Sequence, residues 1–296
     1  MEIKSLCYRV AAFCLLSILF SCATNTDTKA AMRMDPGIVG FALPGIIKSS
    51  ESKLKKNPHN QKIILDAGSY NIMYANAFIQ GPASILPPSQ YQKRDKEYKR
   101  AKKYYARGVN ILNAGIEDKY PGITTVDSTR LKNEYLQKLT KEDVPHIYWL
   151  TAGTLCAFSM DPFDLKYGAE IATLSMLIKR AYEIDADYDG SVLDEFFFLY
   201  YTLLPAELGG DKTKAPQYYE RALKKTNGFS AGLYVSWAEC ISIPNQDYKD
   251  FKAHLDKALA INVEEHPDTK LTNILAQRKA KYYLENAQLY FIDTEE

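Results

Sequence analysis

Histidine and cysteine are the side chains here with the most chemistry in reach, so their spacing is the first test. The four histidines are His59, His146, His254 and His266, and none has a ligand partner at helical spacing. Cys156 follows His146 by ten residues, about 15 Å along a helix, which is too far for a thiol–imidazole pair. Glu264-Glu265-His266 stands before Pro267 and reads as a polar turn, not a metal site. HExxH, P-loop, GxSxG and paired CxxC patterns are all missing. The sequence therefore assigns no catalytic residue, no metal ligand and no cofactor.

One cysteine does have a chemical setting. Lys4 and Arg9 precede an apolar run over 10–20, which ends in Leu19-Phe20-Ser21-Cys22. An apolar residue, a small residue and then cysteine make a bacterial lipoprotein cleavage box. Its thiolate takes a diacylglyceryl group before the peptidase cuts ahead of it. The plainer alternative is an ordinary signal peptide with an incidental cysteine. Eleven apolar residues are too few to span a bilayer, which takes roughly 20. On this expectation 1–21 is removed, Cys22 is lipidated, and 22–36 is a polar tether. Ala23 stands where aspartate would favour the inner membrane, so it leans towards the outer one. Cys7 and Cys14 leave with the signal. Cys156 and Cys240 lie in apolar helical stretches, where a buried thiol is the usual reading and a disulfide stays open.

Lys plus Arg is 37 against 36 Asp plus Glu in 296 residues. That balance asks for neither nucleic acid nor an anionic surface. A hydrophobic fraction of 46% supports a real core. The 22 tyrosines read mostly as core between helices, and any that reach a groove could stack on a ligand.

Helical periodicity runs throughout and strand alternation does not, so the chain is expected to be all-α. Helices are expected over 37–54, 59–79, 90–116, 144–160, 167–184, 196–208, 211–226, 230–244, 246–261 and 269–290, with a shorter one ending at 139. The first is interrupted by Pro44-Gly45. Gly81-Pro82 and Pro87-Pro88 mark a loop no helix should cross. The helix over 90–116 carries Lys93, Arg94, Lys96, Lys99, Arg100, Lys102, Lys103 and Arg107, a solvated face or a dock for an acidic partner. Thr140 or Asp143 should cap the next long helix, with Pro145 in its first turn. That segment, VPHIYWLTAGTLCAFSM, is apolar all round and should be buried on several sides. Ser191 with Asp194 is expected to form a capping box. Pro205 should kink the helix holding it. Gly209-Gly210-Asp211 should end that helix and cap its successor.

The segment over 196–226 is thus an antiparallel helix pair, and one pair cannot bury its own apolar face. Its Ala215-Tyr219-Ala222 register returns as Ala101-Tyr105-Gly108, Leu174-Ile178-Ala181 and Phe251-Leu255-Ala258. The last members stand at intervals of 73, 41 and 36 residues. The final interval is close to the roughly 34-residue tetratricopeptide period, and insertions would lengthen the others. The expected architecture is a single domain over 37–296. It is a divergent tetratricopeptide-like superhelix of about four repeats with flanking helices, capped by the helix over 269–290.

These residues resemble a known family, the T component associated with tripartite ATP-independent periplasmic (TRAP) transporters. The likeness lies in SYNIMYANAFIQGPA at 69–83, VPHIYWLTA at 144–152, and LLPAELGGD at 203–211. It continues in YYERALKKTNGFSAGLYVSWAE at 218–239 and DFKAHLDKALAIN at 250–262. The lipobox at Cys22 agrees with it. The resemblance implies a lipid-anchored protein facing the periplasm, a symmetric homotrimer that docks the soluble substrate-binding P component. It also implies a cavity or pore passing a small ligand, with an apolar ligand as one reading, and it supplies no catalytic residue. In the tetratricopeptide register fixed by Ala222 and Ala258, groove-facing positions are Phe197, Tyr200, Leu204, Leu233, Ser236 and Cys240, with core packing as the plain alternative. A stand-alone binding protein or chaperone for hydrophobic ligands of the envelope is the second functional reading.

Overall fold

A computed structural model describes residues 30–161 and 164–293. Cys22, the signal segment and Pro162 lie outside them. Among the described residues the secondary structure is helical with no strand. The long helices are α1 (Pro36–Lys56), α2 (Gln61–Met73), α3 (Tyr91–Lys119), α4 (Val144–Met160) and α5 (Leu165–Ile184). They continue with α6 (Val192–Leu203), α7 (Ala215–Lys225), α8 (Ala231–Trp237), α9 (Tyr248–Ala260) and α10 (Lys270–Glu285).

Short polar side chains fix most starts by accepting from the free N–H groups of the first turn. Asp35 takes Gly37 N at 2.6 Å, Asn60 takes Ile63 N at 3.1 Å, and Asp247 takes Asp250 N at 2.9 Å. Ahead of α4, Asp143 accepts the Thr140 N–H at 2.9 Å, closing a capping box, and Pro145 sits in the first turn.

Packing follows chain order. Helix α1 lies on α2, α2 on α3, α3 on α4 and α4 on α5; α6 pairs with α7, while α8, α9 and α10 pack mutually. Helices α2, α3 and α4 approach through glycines. A Cβ on Gly108 would stand 2.7 Å from the Gly68 carbonyl oxygen, and one on Gly153 would overlap Ile72. As expected, α4 is buried almost end to end, with Tyr148 and Trp149 fully enclosed. A large core runs from α1 to α7, and a smaller one around Phe251, Ala276 and Tyr283 unites α8, α9 and α10. Leu233 and Cys240 face the first core, while Ala231 and Val235 face the second, so α8 joins the two. Each of Phe196, Phe197 and Phe198 is buried to within 1%, worth roughly 1.5–3 kcal/mol of transfer free energy apiece.

Several expectations are corrected. Pro205 does not kink a helix: α6 ends at Leu203, because the residue before proline is pushed to extended backbone, and Leu204 has ψ 144°. The Ser191–Asp194 box does not form. Ser191 Oγ donates to Glu195 at 2.6 Å, and Asp194 is taken by Lys225 and Tyr182, each at 2.7 Å. Asp211 caps a tight turn through Thr213 N at 3.1 Å, three residues short of α7. The helix also crosses Gly81-Pro82, since α2 widens into a π-helix over Tyr74–Gln80 and then resumes over Gly81–Ser84. Pro244 is met in the same way, by a π-helix over Ala238–Ser242. A π-turn shifts the hydrogen-bond register, so a proline without an N–H fits behind it. The folded body also begins ahead of residue 37: Met32 is buried, and Arg33 pairs with Asp268 at 2.8 Å.

Candidate ligand and partner surfaces

The six groove positions lie in the interior. Phe197 and Ser236 are 1% exposed, Tyr200 and Leu233 are fully buried, and Leu204 and Cys240 are 6% exposed. Tyr200 spends its hydroxyl on Ser175 at 2.7 Å, and Ser236 donates to Gly232 O at 2.7 Å. Within this chain they fill the core and offer no open groove. The hydrophobic period marks an inward face, and neighbouring helices close over it.

Among the described residues, two open features stand out elsewhere. The first is a cleft of about 730 Å³ where Met32 and Arg33 meet the α9–α10 connection and the starts of α6 and α8. One wall holds Ser191, Glu195 and Lys225, and the other holds Phe229, His266 and Asn273. Phe229 stacks on His266 with ring centroids 3.8 Å apart, forming an aromatic lip that is 44% exposed at Phe229. Asn273 is held rigid, accepting Ala231 N at 2.9 Å and donating to Phe229 O at 3.1 Å. Lys225 reaches Asp194 at 2.7 Å and Asp187 at 2.8 Å, so its charge is already matched. Such a cleft can hydrogen-bond and stack. Neither sequence period nor motif announces it, because its walls come from segments far apart in the chain.

The second is a groove of about 470 Å³ between α1 and α2, lined by Met34, Ile38, Leu43, Ile46, Tyr70 and Met73. It is apolar and opens on the outer face of α1.

Elsewhere the reactive residue types are committed to structure. Neither Cys156 nor Cys240 is bridged among the described residues, and both are buried. Burial pushes the Cys156 thiol up to about 12, and its neighbour is Asn76 at 3.9 Å. His146 is engaged separately through Nε2 and the Leu112 carbonyl at 2.6 Å, and burial holds its pKa below the ordinary value. His254 packs on Trp237 and sits 3.1 Å from Asp250, one turn earlier on the same helix. This i,i+4 pair corrects the expectation that no histidine has a partner at helical spacing. Asp250 also receives Trp237 Nε1 at 2.8 Å and Ser242 Oγ at 2.6 Å, which fixes it as a scaffold carboxylate. No group of three metal-ligating side chains is found among the described residues, and no helix among them is long and apolar enough to cross a membrane. Of the basic side chains on α3, Lys99, Arg100, Lys102 and Arg107 are paired within the chain.

Fold and surfaces together define an all-helical array whose open features, among the described residues, include a cleft with stacking and hydrogen-bonding groups and an apolar groove. Residues 33–291 match the family described as TRAP transporter T-component, and the chain belongs to that family. A protein of Treponema pallidum (strain Nichols), described only as uncharacterized, is 30% identical over 263 residues. That alignment spans 88% of this chain and 81% of the Treponema protein. The family is one of transporter components.

Proposed function

We propose that this chain is the lipid-anchored, periplasm-facing subunit of a TRAP-type uptake system, docking the soluble substrate-binding P component. The family match over nearly the whole described body carries the reading. In it, residues 1–21 are a signal peptide, Cys22 bears the acyl chains, the residues just after it tether the body, and the body, which already includes Met32 and Arg33, forms one tetratricopeptide-like domain of about four repeats. The subunit works as a homotrimer, needs no cofactor and catalyses no reaction. Ala23 directs it to the outer membrane. A small ligand, apolar in class, passes through an oligomeric pore to the partner. The cleft beside Phe229 and Asn273 is a suitable entrance, having stacking and hydrogen-bonding walls. Its imidazole, His266, is stacked on Phe229.

Sedimentation of the chain mixed with the P component tests this. One faster complex is expected, and two independent species at high concentration would overturn it.

The second reading is a stand-alone binding protein or chaperone for hydrophobic ligands, and the α1–α2 groove favours it. Native mass spectrometry with no retained small molecule, together with no uptake of an apolar dye, would remove it.

A further inference from the structure

Helix α1 is apolar on two faces. Val39, Leu43 and Ile47 point inward and are buried. On the outer side Phe41 is 90% exposed, Ile38 60%, Ile46 45% and Met34 43%. Nine large hydrophobic side chains are exposed among the described residues, and these four fall within thirteen positions. The other five are scattered, as single surface hydrophobes normally are. A concentration of this kind needs a cover.

Charge and chain length say which. The whole chain is nearly neutral, yet residues 31–56 hold five cations, Arg33, Lys48, Lys53, Lys55 and Lys56, against Asp35 and Glu51. Lys48, Lys53 and Lys56 line a shallow dent with Ser49 and Ser52 immediately beyond the apolar half. An apolar stretch beside lysines matches the acyl boundary and the anionic headgroups of a lipid surface. The described body starts at Ala30, eight residues after Cys22. Eight residues span no more than about 29 Å when fully extended. A lipid anchor at Cys22 would therefore hold the start of the body within about 29 Å of the bilayer, and Met34, Ile38 and Phe41 lie within eleven residues of that start. A second copy of this chain would have to compete with lipid for a face tethered beside the bilayer.

We propose that the outer face of α1, centred on Ile38 and Phe41, lies in the membrane interface with Lys48, Lys53 and Lys56 on anionic headgroups. This rests on acylation of Cys22. Anchor and helix are two signals, and together they fix how the array stands on the membrane, which one tether alone would leave free.

The test uses the acylated full chain on vesicles of phosphatidylethanolamine and phosphatidylglycerol. An environment-sensitive fluorophore is placed at Phe41→Cys or, for comparison, at Lys212→Cys in the exposed α6–α7 corner. Emission at position 41 is expected to shift blue and to lose at least half its intensity to spin-labelled lipid, while position 212 is unchanged. Ile38→Asp, a surface change with little effect on folding, should leave flotation intact and abolish the quenching at 41. A protein that floats with an acylated N-terminal peptide, yet shows no lipid quenching at 41, overturns the docking alone. A blue shift that follows protein concentration without lipid quenching assigns the face to a second copy and also overturns it. An unmodified N-terminal peptide by mass spectrometry sinks the anchor and the docking together.

Discussion

Lys279 and Glu239 form an ion pair inside the protein: Nζ stands 2.7 Å from Glu239 Oε2, with Lys279 only 2% exposed. Glu239 belongs to the π-helix ahead of Pro244, and its other oxygen accepts the Tyr283 hydroxyl at 2.6 Å. The pair therefore pins α10 to the wide turn of α8. Removing one partner leaves a buried charge without compensation. Lys279→Ala or Glu239→Ala should each cost about 3–5 kcal/mol, whereas Lys279→Met with Glu239→Leu should recover most of that loss. Urea unfolding of the two single variants and the double variant reads this directly.

Tyr283 and Tyr219 give a second contrast. Tyr283 donates to a carboxylate, while the Tyr219 hydroxyl is buried with no hydrogen-bond partner among the described residues, its ring 4.4 Å from that of Trp237. Tyr283→Phe should cost about 1.5–3 kcal/mol, because a charged acceptor loses its donor. Tyr219→Phe should be neutral or stabilising by up to about 1 kcal/mol, since only an unmatched polar group departs. Denaturant midpoints at constant slope separate the two.

The Gly209-Gly210 corner holds two different demands. Gly209 has φ 96°, the left-handed backbone expected there, whereas Gly210 is needed for room: a Cβ would overlap the Leu204 carbonyl oxygen. Gly190, at φ 74°, has open space around it. Gly190→Ala should thus cost about 1–2 kcal/mol from backbone strain alone. Gly210→Ala must also move the α6 terminus, and should lower the melting temperature by more than Gly190→Ala does.

His146 makes stability depend on pH. Burial pushes its imidazole below the ordinary value of 6.5, and the bond to the Leu112 carbonyl offsets this only in part. Below about pH 6.5 the unfolded chain takes up a proton that the folded chain refuses, so stability falls as pH drops. The fall ends where the folded imidazole itself titrates. Thermal melts between pH 7.5 and 5 should show this slope in the native chain and a shallower one in His146→Gln.

Much of the architecture was legible because helices announce themselves through period and caps. Ala101, Tyr105, Ala215, Tyr219, Phe251 and Leu255 are buried, at most 3% exposed. Local chemistry was less legible wherever a distant partner competes for a side chain. Asp194 carries the spacing of a cap, but Lys225 on α7 takes it. Pro82 reads as a stop, and only the π-turn before it allows passage. The surfaces were least legible. Phe197 and Tyr200 share a face with the right period, yet which neighbour covers that face is decided by α5, α7 and the corner at Gly209. The cleft depends on meetings such as Arg33 with Asp268, 235 positions apart, which no short window can hold.

That same meeting sets a limit on how this molecule can evolve. An ordinary stack of hairpins is open-ended, and duplicating a unit lengthens it without disturbing the rest. Here the first helix touches the last, and Tyr282 reaches back to the Leu86 carbonyl at 3.4 Å. An inserted hairpin anywhere between would pull those ends apart and unmake the cleft. The early and late helices are tied together, so the length of the array between them is constrained.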